Sequence, residues 1–335
     1  MSEKSRIGTD LDLDAEGKHL GRLFVPNPSN TSAWGAIVVP IASIKNGDGP
    51  TVLLTGGAHG DEYEGPLALW EVMRALEPDA MRGQVFVVPA MNVPGMQAGC
   101  RISPVDHRDL NRSFPGDPKG TPTSALAHYI SSELLPRVDA VVDFHSGGRS
   151  LDFLPCGVMH LLPDPEKAAK TEALLQAFGA PWALVLEELD AVGMLDTLVE
   201  DMGKTFLTTE LRGGGRVTPQ AARIARRGIW NVLAHLGVTE SRPDGVPTGR
   251  DETRYLEVPD RTYYTLSPCA GIWEPAFELG DRVDAGAVVG RIHHPEEPAR
   301  EPVALRARRD GVLMAERVPA LTAAGDTLAV VARAR

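Results

Sequence analysis

The chain has little of what several specialised architectures require. Its three cysteines, Cys100, Cys156 and Cys269, are odd in number and far apart. That excludes a disulfide framework and a cysteine-based metal site, and a reducing cytoplasm is the expected compartment. Basic charge is scarce: 34 Lys and Arg stand against 45 Asp and Glu, for a formal net charge of −11. Non-specific binding to nucleic acid or to anionic membranes needs the opposite balance, so neither is an expected partner. No run approaches the ~20 apolar residues that span a bilayer. The opening stretch, MSEKSRIGTDLDLDAEGK, lacks the apolar segment of a secretory signal. Heptads, short-period repeats and low-complexity tracts are missing as well. Lysine disappears altogether after Lys204.

What is present is ordinary globular material. Hydrophobic residues make up 43% and charged residues 24% of 335 positions, enough for one large or two ordinary domains. Residues 1–48 read as β segments and turns, with GRLFVP and WGAIVVPIASI separated by NPSNTSA. Past the turn NGDGP the pattern changes. TVLLTGG (51–57), QVFVVPAMN (84–92), DAVVDFHSGG (139–148) and FLTTELRGGG (206–215) are short apolar runs of the kind that form buried strands. Helical periodicity covers 65–78, 124–136 and 219–238. Strands alternating with helices predict an α/β layered fold. SRPDGVPTGRDETR (241–254) is a linker, and an all-β pattern follows it. The expected division is therefore an N-terminal β segment (1–48) packed on the core, a catalytic domain (49–245) and a β domain (246–335).

Three of the four buried strands end at a residue able to do chemistry. The first leads to His59 in GGAHGDEYEG, the third ends at His145 and the fourth at Glu210. Open α/β sheets bind ligands outside the carboxyl ends of their strands, so these residues are expected at one sheet edge. His59 and Glu62 can meet one ion from a turn entering a helix, with His145 as third ligand. Two imidazoles and one carboxylate form a hydrolytic zinc site when a fourth position stays open for water. An H-x-x-E alone also describes a helix-start histidine and a surface glutamate; placement at strand ends is what favours the metal. Glu210 is a candidate general base, with pairing to Arg212 as the structural alternative. In DLNRSFPG, Arg112 can hold a carboxylate in bidentate fashion and Asn111 can add a hydrogen bond. Arg101 can face a developing oxyanion, or serve as a surface cation. Asp143 shares a strand face with His145 and can orient a ligand, or make a turn contact.

GGAHGDEYEG, DLNRSFPG, DFHSGG and TTEL, in that order, resemble the succinylglutamate desuccinylase/aspartoacylase family over roughly residues 50–235. The family is zinc-carboxypeptidase-like. The resemblance implies a three-layer α/β/α core with a mixed eight-stranded sheet and one zinc held by His59, Glu62 and His145. It makes Glu210 the general base, Asn111 and Arg112 the substrate clamp, and Arg101 the group that polarises the carbonyl. The Arg101 spacing to DLNR is longer than in aspartoacylases. Within the family the motifs are most similar to ectoine-degrading N-α-acetyl-L-2,4-diaminobutyrate deacetylases. The implied partners are a small N-acyl amino acid and further copies of the chain.

The tail resembles biotinyl and lipoyl β-barrels in its GD-x-V-x-x-G pattern. A carrier needs a lysine at its hairpin tip, and this tail has none. A structural, lid-forming or oligomer-forming role is expected instead. The adjacent His293 and His294 sit in a Pro/Glu loop and read as exposed. For a diaminobutyrate substrate the side-chain ammonium needs an acidic partner. Glu187, Glu188, Asp190 and Asp196 are the candidates. An acidic substrate such as N-succinylglutamate or N-acetylaspartate would instead call on Arg149, Arg212 or Arg216. A non-catalytic scaffold would require a broken ligand or base position, and none is broken.

Overall fold

The computed structural model describes residues 5–187 and 192–335. Strand alternation builds its core. Val52 and Leu54 point into one hydrophobic cluster and Leu53 into another; Val85 and Val87 oppose Phe86 and Val88 in the same way. Side chains two residues apart share a face, so a continuous apolar run buries both faces of its strand. Helices Glu64–Ala75, Pro165–Phe178 and Pro219–His235 supply the first cluster, and Pro122–Tyr129 and Leu195–Asp201 the second. Each fully buried Leu or Phe contributes about 1.5–3 kcal/mol. The sheet is therefore held between two helical layers.

Across the core, the strands lie in the order Gly17–Pro26, Ala36–Asn46, Gly83–Val88, Thr51–Gly56, Ala140–His145, Thr205–Glu210, Cys156–His160 and Trp182–Leu186. Gly83–Val88, Thr51–Gly56, Ala140–His145 and Thr205–Glu210 are successive parallel neighbours. Antiparallel pairs border them on both sides. The result is a large mixed sheet whose three chemistry-bearing strands are adjacent and parallel.

The elements depart from the sequence pattern mostly at their ends. The second buried run stops at Val88, where Pro89 has no N–H to donate to the ladder, and Asn92 then caps a short helix, Val93–Ala98. The periodicity over 124–136 becomes Pro122–Tyr129 followed by a π-helical turn, Ile130–Leu134.

Beyond the linker, strand Arg254–Val258 joins the core sheet, parallel to Trp182–Leu186 and antiparallel to Thr327–Ala334. The large sheet thus continues from the core into the tail. A separate antiparallel sheet is formed by Gly271–Pro275, Val288–His293, Val303–Arg306 and Leu321–Thr322. Trp273 and Ile292 from it pack with Leu313, Leu328 and Val331 of the large sheet. Among the described residues, no helix is long and apolar enough to cross a membrane.

Candidate active site

The turn after Thr51–Gly56 carries His59 and Glu62 into helix Glu64–Ala75. Two glycines shape it. A Cβ on Gly60 would lie 2.0 Å from the Gly95 carbonyl carbon, and one on Gly65 would lie 2.2 Å from Phe144 Cβ. The turn is thereby pressed onto the Val93–Ala98 helix and onto the strand that ends at His145. Asn92 locks the neighbouring segment, accepting from Gly95 N at 3.0 Å and donating to the Arg101 carbonyl at 3.2 Å.

These constraints bring the sequence-predicted ligands together. His59 Nδ1 lies 2.8 Å from Glu62 Oε1, and His145 Nδ1 lies 3.0 Å from Glu62 Oε2. All three residues are buried, and one ligand atom from each falls within 4.8 Å of the others. The outer ring nitrogens are also held. His59 Nε2 faces Asp109 Oδ1 at 3.1 Å, and His145 Nε2 faces Asp143 Oδ2 at 2.9 Å. Asp143 in turn accepts from the Thr55 hydroxyl at 2.7 Å. Both Nδ1 atoms converge on Glu62 while carboxylates fix the ring orientations, the arrangement expected around a metal-binding histidine. Of the two readings of Asp143, its contact is with the imidazole.

The charges are tightly balanced. Burial opposes ionisation of Glu62, but the His59 and His145 imidazoles outweigh it and hold the carboxyl well below its usual range. Burial likewise opposes a charge on His145, yet Asp143 and Glu62 raise it well above its ordinary value. In Asp109, burial is overcome by His59 and Arg101, and the carboxyl is held far down.

Glu210 differs. Its residue is in parallel register with His145, and its buried Oε2 has no hydrogen-bond partner among the described residues. Burial first, then the Glu62 charge, pushes its carboxyl up to about 8. Such a group is poised to exchange a proton near neutrality. Its proposed alternative partner is engaged elsewhere: Arg212 donates to Asp152 at 2.6 Å.

A cavity of about 280 Å³ contains His59, Glu62, His145, Glu210, Arg101, Asn111 and Arg112 in its wall. Arg101 donates to Asp109 at 3.2 Å and lies 3.8 Å from Glu62 Oε1. Asn111 Oδ1 accepts from Leu195 N at 3.2 Å, and Arg112 donates to the Asn111 carbonyl at 2.9 Å. The cavity follows one face of the sheet, taking Phe206, Thr208 and Glu210 from a single strand. Val258, Tyr264, Met314 and Val330 close it from the tail.

Sequence reasoning missed Asp109, His160 and this apolar wall. Asp109 sits inside a motif read only for its Asn and Arg, and an acidic residue two positions before Asn111 was the available signal. Arg149, Arg212 and Arg216 are not in the cavity wall, nor is the exposed Glu187. Glu188 and Asp190 lie outside the described residues. His293 pairs with Glu274 at 2.7 Å in the tail's own sheet, away from the site.

Fold and site together define a hydrolytic enzyme whose reacting groups gather at the carboxyl edge of a mixed α/β sheet. The chain belongs to the succinylglutamate desuccinylase/aspartoacylase family, whose catalytic domain matches residues 48–236. It is 45% identical over 329 residues to the N-α-acetyl-L-2,4-diaminobutyric acid deacetylase of Halomonas elongata, covering 98% of this chain and 95% of that one. The product-bound ectoine utilization protein EutE (DoeB) from Ruegeria pomeroyi superposes with a TM-score of 0.94 at 42% identity, over 99% of this chain and 100% of that one. A succinylglutamate desuccinylase/aspartoacylase from Rhodobacter sphaeroides gives 0.93 at 42% identity, over 99% of each chain.

Proposed function

We propose that the chain is a zinc-dependent deacetylase that hydrolyses N-α-acetyl-L-2,4-diaminobutyrate to acetate and L-2,4-diaminobutyrate, a step of ectoine degradation. One observation carries the chemistry: a buried His59–Glu62–His145 cluster beside a glutamate whose inner oxygen has no partner among the described residues. Near-complete coverage at 45% identity to a diaminobutyrate deacetylase carries the substrate.

The residues fit one zinc. Two imidazole nitrogens and a carboxylate are its customary donors, and in the same cavity the buried Oε2 of Glu210 has no hydrogen-bond partner among the described residues. We read the core as the zinc-carboxypeptidase-like three-layer type and the tail as a barrel-like unit without carrier function. His59, Glu62 and His145 would hold the ion. When bound, it supplies Lewis acidity to the scissile carbonyl and to the attacking water.

The rest falls to the protein. Glu210 takes the proton from the attacking water and returns it to the leaving α-amine. Arg112 holds the α-carboxylate, and Asn111, its Oδ1 committed to Leu195, offers its amide N–H groups. Arg101, pinned by Asp109, faces the oxyanion. The apolar wall excludes bulk water and strengthens these charges. We further read the protein as cytoplasmic and homo-oligomeric.

The test is acetate or succinate release by zinc-loaded protein from N-α-acetyl-L-2,4-diaminobutyrate, N-acetylaspartate and N-succinylglutamate side by side. Preference for the diaminobutyrate compound is expected. Preference for either dicarboxylate contradicts the substrate reading.

A further inference from the structure

With Glu62 and Asp143 engaged by the histidines and Glu210 assigned to proton transfer, one carboxylate among the described residues of the cavity wall is left without a role. Asp196 is only 6% exposed and stands near the start of helix Leu195–Asp201. Its Oδ1 accepts from Thr197 N at 2.6 Å. Its Oδ2 lies 3.7 Å from His160 Nε2, beyond hydrogen-bond length, while His160 Nδ1 lies 3.0 Å from Glu200 Oε2. Glu200 balances any charge on His160, so with Asp196 ionised the trio is net negative in either state of the imidazole.

The placement matters as much as the charge. The helix that carries Asp196 is tied to the expected carboxylate clamp. Leu195 N donates to Asn111 Oδ1, and Phe114 N donates to the Gly193 carbonyl at 3.0 Å. A Cβ on Gly193 would lie 2.5 Å from the Arg112 carbonyl oxygen, so the two segments run in contact. Asp196 is also near enough to His145 for that charge to act on it. Metal cluster, clamp and Asp196 thus share one cavity. A buried carboxylate whose nearest cationic group is an imidazole already shared with Glu200 is costly to ionise, and such a cost is offset where a ligand brings a cation. Burial pushes the Asp196 carboxyl up against the opposing pull of His160 and the Thr197 N–H.

We propose that Asp196 is the specificity residue that binds the side-chain ammonium of the substrate, with His160 and Glu200 as the pair that positions it. The inference rests on the deacetylase reading and selects one of the four acidic residues singled out in the sequence. An ammonium offers three donors to a carboxylate, and the charge-assisted bond is stronger in a cavity than in water. A neutral side chain brings no charge to Asp196 beyond that of His160; an acidic one is repelled.

The experiment compares kcat/KM for N-α-acetyl-L-2,4-diaminobutyrate and for N-acetyl-L-norvaline, in which a methyl replaces the ammonium. Wild type should favour the first. In Asp196→Asn that preference should fall by about 10²-fold, mainly through KM. Asp196→Glu should restore part of it, and His160→Gln should lower it less than Asp196→Asn does. The ratio is read within one protein, so partial misfolding scales both substrates alike. An unchanged ratio in Asp196→Asn, or an equal loss on both substrates, overturns the assignment while leaving the deacetylase reading intact. Failure of wild type to hydrolyse the diaminobutyrate compound overturns both.

Discussion

Glu210 and His145 face each other in register on adjacent parallel strands, and the glutamate's inner oxygen has no hydrogen-bond partner among the described residues while the histidine is held by two carboxylates. The asymmetry fits the proposed division of roles, His145 as a metal ligand and Glu210 as the group that moves the proton. Glu210→Gln should lower kcat by about 10²–10⁴-fold. Zinc content, measured on the same sample by atomic emission, should stay at the wild-type level. Near-normal turnover in this variant contradicts the base assignment.

Asp109 and Asp143 hold the outer nitrogens of the two histidines. Replacing either by Asn keeps the shape and removes the charge. Zinc affinity, read by competition with a chelator, should weaken by about 10–100-fold in each. Asp109→Asn should lower turnover further, because Arg101 loses its anchor.

The metal-free protein should lose stability as pH rises. Burial, aided by Glu62, pushes Glu210 up to about 8, and burial pushes Glu64 up to about 7. Below the ordinary carboxyl value both folded and unfolded chains keep these protons, and nothing is lost. Above it the unfolded chain ionises first, so stability falls as pH passes through about 7 to 8. His145, raised by its carboxylates, acts in the same direction. A bound dication offsets the buried negative charge. Melting temperatures between pH 5.5 and 8.5 should therefore decline for metal-free protein and stay flatter for zinc-loaded protein. Parallel profiles contradict this electrostatic reading.

Gly60→Ala tests the turn. The added methyl meets the Gly95 backbone, which cannot rotate away as a side chain can. A cost of about 1–3 kcal/mol is expected, together with weakened zinc binding as His59 and Glu62 shift. Gly8→Ala, with nothing within 4 Å, is the control. Equal melting temperatures for the two variants contradict the packing argument.

The chemistry-bearing half of the site was legible because local patterns encode it. Apolar runs marked the strands that lead to His59, His145 and Glu210, and parallel neighbours necessarily end at one edge. The stretch between Arg149 and Thr205 was not legible. Its strands, Leu151–Phe153, Cys156–His160 and Trp182–Leu186, are short. Cys156–His160 runs antiparallel to Thr205–Glu210, so its terminal His160 falls away from the edge where ligands were sought. Nor could the tail's part in the cavity be read. The pairing of Arg254–Val258 with Trp182–Leu186 joins residues some 70 positions apart, a long-range choice without a local signature.

The most direct measurement is acetate release from N-α-acetyl-L-2,4-diaminobutyrate while metal-free protein is titrated with zinc. Activity should rise in proportion to added zinc and level off at one equivalent per chain, with no rise in His145→Ala. Full activity before any zinc is added, or a His145→Ala protein that responds like wild type, would contradict a zinc deacetylase centred on His59, Glu62 and His145.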